Sequence, residues 1–145
     1  MERMSEAAAT VGRYVLYDEI ASGGMASVHM GRLIGPVGFS RVVAVKRSHP
    51  AYAKDPAFVA MMMDEARLAS RVRHPNVVPV LDVVATESEL LLVMEYVSGE
   101  TLARLLRASK RAGERVAPEI VVAVMIDVLR GLHAAHEATS AAGEP

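Results

Sequence analysis

The sequence lacks cysteine and tryptophan altogether, and only 4% of its 145 residues are aromatic. The absence of cysteine excludes disulfides and thiolate metal sites, and it fits a reducing compartment. Because aromatic rings are so few, any core must be built from Val, Leu, Ala and Met. Hydrophobic residues still make up 52% of the chain, enough to bury the core of one modest domain or of part of a larger one.

An excess of charge of one sign is lacking as well, since the formal net charge is -1. Nucleic-acid binders usually carry a basic excess, so we do not expect a nucleic-acid partner. No stretch is long and uncharged enough to span a bilayer. The chain begins with Glu2, Arg3 and Glu6 where a signal peptide would be apolar. These absences predict a soluble, cytoplasmic protein without a membrane segment.

Hydrophobic patterning and turn residues divide the chain into strands and helices. Strands are predicted at residues 14–20, 27–33, 41–46, 77–84 and 90–97, and helices at 55–72, 101–112 and 118–138. Asp55 is the expected N-cap of the first helix, and Pro118 opens the last helix. Residues 1–11, polar and rich in alanine, are predicted to form a disordered tail. The order is three strands, a helix, two strands and two helices.

Lys46 is a lone cation that ends an apolar run of Val and Ala, residues 42–45. The β-branched residues of this run predict a strand that is buried on at least one face. Alternation along the strand places Val42, Ala44 and Lys46 on the same face. A lysine in such surroundings needs an anion, because burial of an unpaired charge is costly. A protein carboxylate, a bound phosphate, or both would satisfy it.

Glu65 is the carboxylate that the helix over 55–72 offers. Stepping about 3.6 residues at a time from Phe58 places Glu65 in the middle of the apolar stripe and turns Asp64 away. We therefore predict a Lys46–Glu65 pair, whose disruption would leave an uncompensated buried charge at a cost of about 3–5 kcal/mol. The spacing leaves open the alternative that Glu65 lies at the edge of the stripe and reaches solvent.

Gly23 and Gly24 lie in a turn between two predicted strands. Glycines at such a place let backbone N–H groups approach a phosphate closely. An ordinary hairpin turn is the alternative explanation, and two adjacent glycines do not decide between the two.

Together these residues resemble the small lobe of a protein kinase of the bacterial serine/threonine (eukaryotic-like) subgroup, over residues 12–137. Residues 20–28 are similar to the glycine-rich loop that covers the phosphates of ATP. The resemblance implies that ATP contacts this loop at Ala21, Ser22, Gly23, Gly24, Met25, Ala26, Ser27 and Val28. Ala21 and Ala26 stand where the family has its first and third glycines, and a Cβ at Ala21 is expected to stiffen the loop or crowd the phosphates.

The same resemblance gives roles to Lys46 and Glu65. Residues 43–46 are similar to the strand whose lysine contacts the α- and β-phosphates, and Glu65 matches the helix glutamate that pairs with that lysine. Both are implied to serve catalysis. His74, Pro75 and Asn76 match the turn that follows this helix in the family.

Residues 92–97 resemble the hinge of a kinase. By this resemblance Met94 is the gatekeeper beside the adenine, and the Glu95 carbonyl and the Val97 backbone bond the adenine edge. Val28 and Ala44 are implied to pack against the faces of the ring. A buried strand without a ligand explains residues 90–97 equally well when they are taken alone.

The implied fold is α+β. Residues 12–97 correspond to a small lobe with hinge, made of a five-stranded antiparallel sheet and one helix, and residues 98–145 to the first two helices of an incomplete large lobe. ATP and Mg²⁺ are the implied cofactors, and proteins phosphorylated on Ser or Thr the implied substrates.

Two kinase motifs are missing from the 145 residues: the His-Arg-Asp catalytic loop and the metal-binding Asp-Phe-Gly. We therefore expect an ATP-binding portion of a kinase that lacks the ligands for Mg²⁺ and is inactive by itself. The alternative is a non-catalytic, pseudokinase-like module that binds nucleotide weakly or docks onto a partner.

The last helix is apolar on nearly every side between residues 120 and 132. We expect the helix over 118–138 to be covered by the rest of a large lobe or by a partner, and the chain alone to be marginal or prone to aggregation.

Two further interpretations are weaker. A dinucleotide-binding domain would place its glycines at the start of a helix, whereas this glycine turn joins two strands. His133 and His136 are spaced to share a helix face, but no third ligand accompanies them, so no metal site is predicted.

Overall fold

The computed structural model describes residues 9–86 and 89–138. The strands are β1 (Ala9–Val11), β2 (Tyr14–Ser22), β3 (Ala26–Ile34), β4 (Ser40–Ser48), β5 (Val80–Ala85) and β6 (Leu90–Glu95). The helices are α1 (Pro50–Ala53), α2 (Pro56–Arg71), α3 (Leu102–Ala112) and α4 (Pro118–Glu137). The described residues fall into two compact units: a strand unit, residues 9–71 and 78–96, and a helical unit, residues 72–77 and 97–138.

Among the described residues, the strands form one antiparallel sheet in the order β1-β2-β3-β4-β6-β5. One face carries a core drawn from β2, β4 and β6: Tyr14, Leu16, Val43, Val45, Leu91 and Val93. The opposite face packs against α2 through a second core: Phe58, Met62, Ala66, Leu90 and Leu92. Strand β6 contributes to both cores, with Leu90 and Leu92 on the face of α2 and Leu91 and Val93 on the opposite face.

Tyr14 in β2 and Asp82 in β5 are joined although their strands are not neighbours in the sheet. The Tyr14 hydroxyl donates to Asp82 Oδ2 at 2.6 Å, and Arg13 Nη2 donates to the same oxygen at 2.9 Å. The hydrogen bond from Tyr14 is the largest cause that lowers the pKa of the Asp82 carboxyl, whereas burial raises the pKa of Tyr14. The contact requires the sheet to curl, so that its two ends approach each other.

Helix α2 begins where its capping residue predicts. Asp55 Oδ1 accepts hydrogen bonds from the backbone N–H groups of Ala57 at 2.9 Å and Phe58 at 3.4 Å. These bonds satisfy N–H groups that have no partner within the helix. The predicted N-cap is therefore confirmed.

Capping and turn residues in the sequence mark both ends of α3 and the start of α4. Thr101 caps α3 by accepting a hydrogen bond from the Arg104 N–H, and Gly113 ends it with a left-handed φ of 70°. Pro118 lies in the first turn of α4.

Gly131 of α4 lies so close to the 72–77 segment that a Cβ would sit 2.8 Å from the Asn76 carbonyl oxygen. Only glycine permits this approach.

The α+β fold class and the order of elements are confirmed, with two corrections. The sheet has a sixth strand because residues 9–11, predicted to be disordered, pair with β2 from Ala9↔Leu16 to Val11↔Tyr14. That prediction is wrong for these three residues, and residues 1–8 lie outside the described residues. The second correction is the short helix α1, which the sequence analysis did not predict. Residues 87–88 of the predicted turn between β5 and β6 also lie outside the described residues.

No helix within the described part of the chain combines the length and apolar character needed to cross a bilayer.

Candidate phosphate-binding site

The register of the sheet groups the predicted ligand-binding side chains on one face. Lys46 of β4 stands directly opposite Val28 of β3 and Leu92 of β6. Two residues earlier, Ala44 stands opposite Met30 and Met94 in the same way. Residues that face each other in an antiparallel ladder project to the same side. Val28, Ala44, Lys46 and Met94 therefore share the face that also carries α2.

Lys46 and Glu65 form the predicted ion pair. Lys46 Nζ donates to both carboxylate oxygens of Glu65, at 2.8 Å to Oε1 and 3.0 Å to Oε2. The strand supplies the cation and α2 supplies the anion, as alternation and helix periodicity predict. The contact is confirmed by these distances.

Of the two placements that the helix spacing leaves open for Glu65, the structure has the one at the edge of the apolar stripe. Its side chain is 48% exposed, and that of Lys46 is 28% exposed. The buried stripe of α2 runs through Phe58, Met62 and Ala66, in steps of four residues, which leaves Glu65 at its edge. A pair this accessible to water contributes about 0–1 kcal/mol, so folding stability does not explain why the two charges are held together.

The glycine turn connects β2 to β3 and is exposed from Ala21 to Met25. The Gly23 N–H donates to the Ala26 carbonyl at 2.9 Å. Neither Gly23 nor Gly24 has a left-handed φ, and a Cβ on Gly24 would meet no atom within 4 Å. The fold itself therefore does not require a glycine at position 24, and its missing side chain leaves the backbone open to a ligand.

The remaining residues of the predicted loop differ in their strand pairing and in their exposure to solvent. Ala21 pairs with Val28 and Ser22 with Ser27 across the hairpin, just beyond a register shift between Glu19 and Ala21. Met25 is half exposed at the turn. Ser27 is 5% exposed, and its hydroxyl lies 3.0 Å from His29 Nε2, so this hydroxyl is directed into the strand pair.

The predicted hinge residues lie at and beyond the end of β6. Met94 is half-buried and packs against the core beneath α2. The Glu95 N–H donates to the Pro79 carbonyl at 3.1 Å, and its carboxylate lies 3.5 Å from Arg41. Val97 follows the strand, is 65% exposed and belongs to the helical unit. Their contacts with adenine stay predictions.

His49 is a residue beside the glycine turn that the sequence patterns did not indicate. This residue contacts the glycine turn twice: its Nε2 lies 3.1 Å from the Gly23 carbonyl, and its N–H donates to the Met25 carbonyl at 3.0 Å. A signal was present, because a histidine that directly precedes a proline shortly after the strand lysine is held in an extended conformation. That signal does not reveal which residues the side chain reaches.

Within residues 9–86 and 89–138, no three His, Cys, Asp or Glu side chains are grouped so as to hold a metal ion.

A curled antiparallel sheet that places a lysine against a helix glutamate, beside a glycine turn, is the arrangement of the small lobe of a kinase-like fold. The chain matches the family model described as "Protein kinase domain" over residues 14–140. It belongs to this family, whose members use ATP and Mg²⁺.

The curated relatives include kinases with different named specificities. "Tyrosine-protein kinase MasK" of Myxococcus xanthus is 42% identical over 134 residues, covering 92% of this chain and 21% of the relative. "Serine/threonine-protein kinase PknB" of Mycobacterium leprae is 31% identical over 129 residues, covering 86% of this chain and 20% of the relative. The chain thus spans about a fifth of the length of these relatives.

A solved structure, the PknI kinase domain of Mycobacterium tuberculosis, is similar with a TM-score of 0.71. It shares 24% sequence identity, and the match covers 92% of this chain and 52% of that domain. This likeness supports the fold.

Proposed function

We propose that the strand unit binds the phosphates of ATP through Lys46 and the glycine turn. The observation that carries the proposal is the Lys46–Glu65 pair, which is held at 2.8 and 3.0 Å yet remains accessible to solvent. A lysine ammonium has three N–H donors. Two of them are directed at Glu65, which leaves one for a phosphate oxygen.

The glycine turn begins close to the backbone of Lys46 along the sheet. In the β3–β4 ladder Ala26 stands opposite Ser48, two residues along from the Val28↔Lys46 pair. At about 3.3 Å per residue, this separation is about 7 Å, which the phosphate chain of a nucleotide can span. The open space above Gly24 supports the same ligand, since nothing in the protein fills it.

Lys46 is proposed to neutralise phosphate charge, and Glu65 to keep the ammonium in place. Charge-assisted hydrogen bonds of this kind are about twice as strong as neutral ones. Ala44 and Val28 are proposed to pack against the adenine ring, with Met94, Glu95 and Val97 at its edge. The register that puts Val28, Ala44 and Met94 on the face of Lys46 supports this arrangement.

Phosphoryl transfer is proposed for the kinase to which these residues belong, with Ser or Thr of a protein as acceptor. The named serine/threonine kinases among the relatives support this choice, although MasK is named a tyrosine kinase. Mg²⁺ supplies charge neutralisation on the phosphates when it is bound. The described residues do not group ligands that fit it, so we derive no step through the metal.

The exposed apolar face of α4 favours a second role, docking. We propose that it is covered by the rest of a kinase large lobe, and that a partner protein is the alternative occupant. The supporting observation is a set of large apolar residues of α4 that are each more than 40% exposed: Ile120, Val121, Val122, Met125, Ile126, Val128, Leu129 and Leu132. The cytoplasmic location stays a prediction.

A titration of the 145-residue chain with ATP tests the nucleotide proposal. Lys46→Met keeps the length of the side chain and removes its charge, and we expect it to weaken ATP binding by about 10- to 100-fold. Lys54→Ala removes an exposed lysine of the same unit and serves as the matched control. Equal ATP affinity in the wild type and Lys46→Met would overturn the proposal.

A further inference from the structure

His49 is the residue outside the predicted site that touches the glycine turn most directly. Its Nε2 lies 3.1 Å from the Gly23 carbonyl oxygen. A carbonyl oxygen can only accept, so Nε2 carries the proton and donates it. The backbone N–H of His49 also donates to the Met25 carbonyl at 3.0 Å. The carbonyl groups of Gly23 and Met25 are therefore both directed at His49.

The local sequence explains why His49 is available for this contact. Pro50 disfavours helical geometry in the residue before it, and His49 has an extended backbone with φ -68° and ψ 143°. It stands at the N-cap position of α1, but its side chain makes no capping hydrogen bond there. The imidazole turns back to the glycine turn instead.

The contact fixes the direction of N–H groups that a ligand would meet. A trans peptide is planar, and its C=O and N–H point in opposite directions. The Gly23 carbonyl belongs to the same peptide as the Gly24 N–H, so holding the carbonyl toward His49 directs that N–H away. The Met25 carbonyl and the Ala26 N–H likewise belong to one peptide, so the bond from the His49 N–H to this carbonyl directs the Ala26 N–H away from His49.

The contact also changes how the hairpin closes. A tight two-residue hairpin would use a second hydrogen bond, from the Ala26 N–H to the Gly23 carbonyl. That carbonyl instead accepts from His49, and the described residues include no bond from the Ala26 N–H to it. The Gly24 N–H, which points away from His49, is a backbone donor that a phosphate oxygen can accept from.

We propose that His49 is a positioning residue for this turn: its Nε2–H holds the Gly23 carbonyl so that the Gly24 N–H faces the phosphates of a nucleotide. The proposal rests on the proposed function. It assigns no direct contact between His49 and the ligand.

Binding of ATP and of adenosine to the full chain separates positioning from general stability. In His49→Ala we expect ATP to bind about three- to tenfold more weakly, the effect of one hydrogen bond, and adenosine to bind as in the wild type. His49→Gln, whose side-chain amide can donate from a similar place, is expected to restore most of the ATP affinity. Lys54→Ala is the matched control and is expected to change neither.

Equal ATP affinity in His49→Ala and the wild type would overturn the role of His49 and leave the proposed function intact. A parallel loss of ATP and adenosine binding would also overturn it, because a merely structural residue acts on both. If the wild type binds no ATP, the proposed function falls and this inference falls with it. In the free chain, amide NMR of His49→Ala is expected to show shifts concentrated at Gly23 and Gly24 relative to His49→Gln, and unchanged signals there would contradict the contact.

Discussion

Buried residues are shared very unequally between the two units. The strand unit contains both described cores and pairs its partly buried charges, including a two-bond contact of Arg47 with Glu89 at 2.8 and 2.6 Å. In the helical unit, only Val72 and Gly131 are buried among the described residues, and α4 exposes most of its large apolar side chains. The strand unit buries its own hydrophobic core, whereas the helical unit exposes an apolar surface on α4.

Matched truncations in the two units should give the largest contrast. Leu91 of β6 is fully buried and Leu129 of α4 is 55% exposed. We expect Leu91→Ala to lower the free energy of unfolding by about 2–5 kcal/mol, because it leaves a cavity. Leu129→Ala is expected to change it by less than about 0.5 kcal/mol. Urea denaturation followed by circular dichroism measures both.

If the two leucine variants lost stability equally, the claim that the strand unit has a packed core and α4 has an exposed apolar surface would be wrong. That result would mean that α4 is packed in solution, by a second copy or by a rearrangement of the chain. Repeating the measurement at several protein concentrations distinguishes a second copy, because only association makes the loss concentration-dependent.

The Tyr14–Asp82 bond that closes the curled sheet should give the next largest effect. Tyr14→Phe removes a partly buried hydrogen bond to a charged group, at an expected cost of about 1.5–3 kcal/mol. Because the folded pKa of Asp82 is lowered, its contribution is present above the ordinary carboxyl pKa and is lost as pH falls below about 4. Because the folded pKa of Tyr14 is raised, its contribution is lost as pH rises above about 10.

Unfolding free energies across pH measure this dependence in the wild type and in Tyr14→Phe. The wild type is expected to lose more stability than the variant at both ends of the range. A constant difference between the two proteins from acid to alkaline pH would refute the assignment.

Charged substitutions on α4 should have the smallest effect on folding and a clear effect on association. Val122 and Val128 are 57% and 53% exposed. We expect Val122→Lys with Val128→Lys to change the free energy of unfolding by less than about 1 kcal/mol and to reduce self-association. Sedimentation velocity at increasing concentration is the measurement, and a wild type that stays monomeric throughout would remove the basis for the docking proposal.

The sequence predicted the Lys46–Glu65 contact because both periodicities are local. Strand alternation and helix repeat each depend on a few neighbouring residues, and the two patterns agreed. The sequence left the burial of Glu65 open because a repeat of 3.6 residues does not decide between neighbouring positions of a stripe. In the structure, Ala66 takes the buried place and Leu68 is 51% exposed.

The features that the sequence analysis missed depend on long-range pairing. The strand β1 pairs with the edge of β2, and its three residues are too few for their alternation to reveal a strand by itself. The contact of Arg13 with Asp82 joins residues 69 positions apart, and His49 reaches Gly23 across 26 positions. Such contacts follow from how the sheet curls and how the turn closes, which local propensity does not specify.

The central claim is that Glu65 holds Lys46 for the phosphates of ATP. A double-mutant cycle on ATP affinity, with Lys46→Met, Glu65→Gln and the double variant, tests it most directly. If Glu65 acts through Lys46, Glu65→Gln weakens binding in the wild-type background and has no further effect once Lys46 is Met. Equal losses from Glu65→Gln in both backgrounds would contradict the claim.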